Sequence, residues 1–268
     1  MVRRFNYSDK TTTALGKNGA HQFASRFALE IYNSDSIYSF IPKNACSTLR
    51  FSVAIANGCL SPKSDVAWIH NNNMTFSADL SALVKAKYSF VILRCPFRRV
   101  LSAFLDKFLD RTPDSWNYFQ KTNREVPLNH LTFKTFIKSL KNPGVLKSNI
   151  HWRPQNDFLV YQEYDDYYSL ESFSLFEAAI KDKIGLAIYD TRLTIGHHIT
   201  TKTTSFLNNA CDIPILELMS LKNENNLPTY ESFYNEELVE MVGNIYKDDV
   251  SFYHSKFGSK NMLFPTFK

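Results

Sequence analysis

Two stretches of this chain each run from strand-forming residues through a turn into a helix, and together they leave little choice of fold. The first is Ile37-Tyr-Ser-Phe-Ile41 followed by Pro42-Lys-Asn-Ala-Cys-Ser-Thr-Leu-Arg50; the second is Tyr88-Ser-Phe-Val-Ile-Leu93 followed by Arg94-Cys-Pro-Phe-Arg-Arg-Val-Leu-Ser-Ala-Phe104. Both strands are short, apolar and rich in β-branched and aromatic residues, which fits burial on both faces. After the first turn, Leu49, Val53 and Ala56 recur at helical spacing and Gly58 supplies a stop. After the second, Pro96 suits a first helical turn, and Phe97, Val100, Leu101, Phe104, Leu105 and Phe108 line one broad face. Repeated strand-to-helix units predict an α/β fold with a central, mostly parallel sheet flanked by helices, with ligands bound beyond the carboxyl ends of the strands.

Further elements are expected as a strand near 164–168, a strand at 185–189, and helices near 133–140, 170–182 and 235–248. Residues 1–30 read as a partly ordered lead-in, 61–75 as a loop around His70, 111–130 as a polar insertion and 141–156 as a loop. With no repeat and no long polar linker, residues 1–268 are expected to be a single domain.

The chemistry of the turns follows from their position. A helix N-terminus offers unpaired amides and the positive end of the macrodipole, so each turn suits an anion, with Lys43 and Arg94 as adjacent cations. Asn44, Ala45, Cys46, Ser47 and Thr48 add successive N–H groups and two hydroxyls. Ser102, eight residues past Arg94, can share an anion with it across two helical turns. The first turn lacks the glycines of a Walker loop and its lysine precedes the turn, which disfavours a Mg-nucleotide kinase. A strand–helix junction with a surface lysine, and an arginine in a structural salt bridge, are the plainer readings of the same letters.

Composition narrows the partners. The net charge of +5 is spread among acids rather than gathered into runs, which points away from nucleic acid and towards a localised basic pocket. Cys46, Cys59, Cys95 and Cys211 show no C-x-x-C spacing, and the histidines have no carboxylate or cysteine at ligand spacing, so no metal is expected. There is no signal-peptide pattern and no apolar run of about 20 residues, so the expectation is a soluble, cytoplasmic protein without an integral membrane segment. Oligomeric state is left open.

The two turns together resemble the donor-binding motifs of the carbohydrate sulfotransferases that use 3′-phosphoadenosine-5′-phosphosulfate (PAPS). Pro42-Lys-Asn-Ala-Cys-Ser-Thr48 resembles their 5′-phosphosulfate loop. Arg94-Cys-Pro-Phe-Arg-Arg-Val-Leu-Ser102-Ala-Phe-Leu-Asp-Lys-Phe108 resembles their 3′-phosphate motif, Arg-(Asp/Glu)-Pro-Phe-x-Arg-Leu-x-Ser-(Ala/Tyr)-(Tyr/Phe)-x-x-Lys-Phe, with Cys95 in place of the usual acid. His151-Trp-Arg-Pro-Gln155, the loop at 197–205 and the ending at 245–253 continue the likeness, which spans roughly residues 37–257.

The resemblance implies the P-loop-like sulfotransferase fold, PAPS as donor substrate and a hydroxyl of a carbohydrate or glycoconjugate as acceptor. It makes Lys43 and residues 44–48 the 5′ contacts, Arg94 and Ser102 the 3′ contacts, and Lys202 and Thr203 further donor contacts. Sulfuryl transfer also needs a base for the acceptor hydroxyl. His70, between the two motifs and placed like the base of the uronyl 2-O-sulfotransferases, is the first candidate and His151 the second. Each is equally readable as a histidine without catalytic work, exposed in a loop or packed. A non-catalytic nucleotide-binding module would keep the pocket and lose the chemistry.

Overall fold

The computed structural model describes residues 3–191, 208–265 and 267. In chain order its helices are α1 (Gly19–Arg26), α2 (Cys46–Ala56), α3 (Trp68–Asn71), α4 (Leu80–Lys85), α5 (Pro96–Leu109), α6 (Pro113–Lys121), α7 (Phe133–Ser139), α8 (Pro143–Leu146), α9 (Phe173–Ile184), α10 (Ile215–Asn223), α11 (Glu236–Ile245) and α12 (Lys247–Phe257). The strands are β1 (Ala28–Ile31), β2 (Ser36–Ser39), β3 (Tyr88–Leu93) and β4 (Asp166–Ser169). The chain divides into two compact units, one of residues 1–94 with 155–196 and the other of 95–154 with 197–268.

The first unit holds the sheet, in the order β1-β2-β3-β4. β2, β3 and β4 are parallel, with Ser39 opposite Val91 and Leu93 opposite Ser169, while β1 is an antiparallel edge. The expected α/β architecture with a mostly parallel sheet is what is found. Ile37, Tyr38, Phe90, Val91, Ile92 and Leu93 are buried, as strands covered on both faces must be. Beside them Phe158 packs edge-on against Phe27 and Phe23, with ring centroids 4.8 and 5.1 Å apart. Phe27 and Phe158, both buried, each contribute about 1.5–3 kcal/mol of transfer free energy. Helix α2 is buried all round from Thr48 to Ala54, so its apolar spacing shows only part of what is covered. It ends where expected, with Gly58 at φ 78° donating its N–H to the Ile55 carbonyl.

The residues expected as a lead-in are instead built into this unit. Arg3 reaches the Asp165 carboxylate and the Ala86 and Lys87 carbonyls, and Asn6 donates its N–H to the Val160 carbonyl. α1 and β1 follow directly. Three loop assignments are also corrected, because α3 carries His70, α6 occupies the polar insertion and α8 lies within 141–156, where Asn142 caps it by accepting the Gly144 N–H. Pro113 opens α6 at a position where proline costs no hydrogen bond, which explains why a proline-marked stretch is helical. Residues 185–189 form no strand.

The described part of the second unit is helical. Its core gathers Phe104 and Phe108 of α5, Tyr118 of α6, Phe136 of α7 and the indole of Trp152. Among the described residues no helix is long and apolar enough to cross a membrane.

Candidate active site

The loop from Pro42 to Thr48 is shaped by backbone conformations that side-chain-bearing residues seldom adopt. Lys43 has φ 72°, and Ala45 sits at φ 58°, ψ 24°, both left-handed and neither a glycine. Holding an alanine there costs about 1–2 kcal/mol relative to its ordinary conformations, so the surroundings must enforce it. Ala45 caps α2 through its carbonyl, which accepts the Leu49 N–H at 3.1 Å, and as an alanine it offers no side-chain cap to the amides of this first turn. Successive amides in such a turn form a concave, electropositive cradle.

Asn44 is what pins the loop. Its side chain is fully buried, and Nδ2 donates to the Ile92 carbonyl at 2.9 Å and to Gln155 Oε1 at 2.7 Å. The same Oε1 accepts the Arg94 N–H at 3.0 Å, while Gln155 Nε2 donates to the Arg94 carbonyl at 2.9 Å. Gln155 therefore clasps both backbone polar groups of Arg94 and the loop asparagine at once. The clasp brings the two sequence motifs together, and Arg94 Nη1 donates to the Lys43 carbonyl at 2.9 Å. Arg94 is half-buried, and among the described residues it has no carboxylate partner. A structural salt bridge does not account for it.

The far side of the loop is tied down as well. Thr48 Oγ1 lies 3.0 Å from Thr191 Oγ1, and Ser52 Oγ donates to the Thr48 carbonyl and accepts the Tyr189 N–H. Below it, Arg50 is buried with its guanidinium over the Phe40 ring and Nη2 donating to the Ile69 carbonyl. Burial disfavours its charge and lowers its pKa, an effect that the Cys46 and Tyr38 side chains oppose. Among the described residues neither Arg94 nor Arg50 has a carboxylate partner, and Arg94 is the one bonded to the loop, through the Lys43 carbonyl.

His70 is exposed on α3, immediately after the carbonyl that Arg50 holds. Ser102 and His151 belong to the second unit. Ser102 is buried on α5. His151 is half-buried in a loop that is fastened on every side: Arg99 donates to the Arg153 and Ile150 carbonyls at 2.8 and 3.2 Å, and Tyr246 Oη donates to the Trp152 carbonyl at 2.5 Å. Trp152 buries its ring completely and donates Nε1–H to the Val145 carbonyl. Trp152 and Arg99 therefore hold the loop that carries His151. Lys202 and Thr203, with His197 and His198, lie outside the described residues.

A pocket of the second unit bordered by Lys141, Glu237, Glu240, Met241, Asn244 and Ile245 contains none of these groups. Among the described residues no cluster of histidine, cysteine and carboxylate suited to a metal is present. Gln155 is the main site residue that sequence reasoning passed over; the His151-to-Gln155 motif contains it, but no periodicity or spacing reveals a clasp.

The sulfotransferase family model matches residues 33–256, which takes in both motifs and the clasp. The chain belongs to the sulfotransferase family. No curated protein and no solved structure matched it. Sulfotransferases in general draw their sulfuryl group from PAPS, and membership of the family supports sulfotransfer as the activity of this chain.

Proposed function

We propose that the protein transfers the sulfuryl group of PAPS to a hydroxyl of a carbohydrate or glycoconjugate. What carries the reading is Arg94: a half-buried guanidinium without a carboxylate partner among the described residues, locked through Gln155 against an amide-lined loop. A polyanion fits this chemistry, since it supplies the negative charge that the loop and Arg94 lack.

In this reading Lys43 and the amides of residues 44–48 hold the 5′ end of the donor, with the Ser47 and Thr48 hydroxyls beside them. Arg94 and Ser102 take the 3′-phosphate as the motif implies, and Lys202 and Thr203 add contacts. Bound PAPS supplies the sulfuryl group and a phosphate leaving group. The protein's share is to orient the acceptor, remove its proton and stabilise the charge that collects on the departing oxygens. Lys43 and the preset amides suit the last of these, because their dipoles need no reorganisation as the reaction proceeds. A histidine removes the proton, His70 or His151. We take residues 1–268 to serve this one reaction as a single sulfotransferase domain.

The test is calorimetric binding of the desulfated product, 3′-phosphoadenosine-5′-phosphate (PAP), with EDTA present. Micromolar binding is expected for the wild type. Loss of the charged hydrogen bonds in Arg94→Ala should weaken it by roughly 10- to 100-fold, the equivalent of about 1.5–3 kcal/mol. Absence of binding to the wild type, or binding that requires Mg²⁺, would overturn the proposal.

A further inference from the structure

Asn149 stands between a carboxylate and a histidine, and its own orientation decides what the histidine can do. Its Nδ2 donates to Asp114 Oδ1 at 2.7 Å. Its Oδ1 accepts the His151 backbone N–H at 2.9 Å and faces His151 Nδ1 at 2.8 Å. The opposite amide orientation would set an NH₂ against a backbone N–H and an oxygen against a carboxylate oxygen, both repulsive. The amide is therefore fixed, and because Oδ1 can only accept, Nδ1 must carry the proton. In the neutral ring the lone pair then resides on Nε2.

Asp114 adds charge to this arrangement. Its Oδ2 is 3.7 Å from His151 Nδ1 and 3.5 Å from Lys107 Nζ, and Lys107 is also 3.0 Å from Asp106 Oδ2. These groups come from α5 and α6, and Arg153, the cation on the histidine's own loop, directs Nη1 at the Lys147 carbonyl. The loop itself cannot turn freely, since Arg99 and Tyr246 hold the carbonyls on either side of the ring. A histidine held at Nδ1 by an acceptor, with a carboxylate behind it, has the form of the oriented general bases of nucleophilic catalysis.

We infer that His151 is presented as a base at Nε2, and that Asn149 and Asp114 are the positioning residues that make it one. This rests on the sulfotransfer reading above and names His151 over His70. The step moves the acceptor hydroxyl's proton to Nε2 as its oxygen bonds to sulfur. The bond from sulfur to the donor's phosphate oxygen breaks, and that oxygen keeps the electron pair. The resulting imidazolium is stabilised by Asp114, with Asn149 accepting from Nδ1–H throughout.

Ring ¹⁵N NMR of the whole protein, with His151→Gln to assign the signals, reads the tautomer without any substrate. The wild type should show Nδ1–H and an unprotonated Nε2, and Asn149→Ala should abolish that preference. Turnover of PAPS with a chemically desulfated glycosaminoglycan mixture gives the second readout. His151→Gln should lose about 10²- to 10⁴-fold in kcat, as removal of a positioned base does, and Asn149→Ala roughly tenfold or more, both with PAP binding retained. In Asp114→Asn the limb of the kcat profile that rises with pH should move to lower pH, because the imidazolium loses its counter-charge.

An Nε2–H tautomer in the wild type would overturn the inference, and so would Asn149→Ala and Asp114→Asn variants that keep the wild-type kcat and pH profile. Failure of the wild type to bind PAP would instead sink the donor reading, whatever the ring reports.

Discussion

Gln155 is the residue that holds the candidate site together, because one side chain satisfies three polar groups. It accepts from Asn44 Nδ2 and the Arg94 N–H and donates to the Arg94 carbonyl, while being buried itself. Truncation leaves those partners inside the protein without their hydrogen bonds, and leaving buried groups unsatisfied costs more than the bonds themselves contribute. Gln155→Ala should therefore destabilise the protein by about 2–4 kcal/mol in urea unfolding. Its weakening of PAP binding should exceed that of a surface lysine substitution, since the backbone carrying Arg94 is released. Gln155→Glu sharpens the test: a carboxylate keeps both acceptor roles but cannot donate to the Arg94 carbonyl, so it should retain the loop and lose part of the stability. Wild-type stability in both variants would show that the clasp is incidental.

At the scale of elements, the loop before α2 is held in a conformation that its residues resist. Ala45 adopts positive φ at the N-cap of α2, whose residues Thr48 to Ala54 are all buried. Ala45→Gly removes the steric cost of about 1–2 kcal/mol but loosens the unfolded chain by about 0.4–1 kcal/mol. The net should be stabilisation by up to about 1.5 kcal/mol with PAP binding preserved, measured by thermal unfolding with and without ligand. Marked destabilisation would mean that the alanine methyl packs against something the loop requires.

The same loop shows how far sequence reading reaches. Its place between β2 and α2 was legible because strand and helix periodicity meet there, and α5 was legible from Pro96 and its apolar face. The strain was not, since Lys43 and Ala45 lack the glycine that announces positive φ. α6 was missed because Pro113 and its polar residues read as a loop, and β1 because a four-residue antiparallel edge carries too few letters for a period. His151 was legible as a candidate, but Asn149 and Asp114 were not. Asp114 lies 37 residues before His151 and meets it through Asn149, where Tyr118 of α6 packs on Trp152.

Across the whole molecule, stability should fall on acidification in two separate windows. His21 sits in α1 with Nε2 near Ser25, its Nδ1 buried with no hydrogen-bond partner among the described residues and its ring against Phe5. Burial lowers its pKa below the usual 6.5, so the folded state binds its proton less readily than the unfolded chain does. Its contribution is complete above pH 6.5 and is lost as pH falls through the lowered folded value. Asp165 follows the same sign at lower pH. Burial alone would raise its pKa, but hydrogen bonds from Arg3 and from the Ser89 hydroxyl and N–H outweigh it and hold the carboxyl below 3.8. Its contribution is complete above pH 3.8 and disappears as the carboxylate is protonated below that. Arg3 is also bonded to the carbonyls that precede β3, so this second loss should release the N-terminal segment from the sheet. Urea unfolding across pH should show His21→Leu flattening only the upper window and Asp165→Asn only the lower one. Parallel profiles for all three proteins would show that neither group governs the acid response.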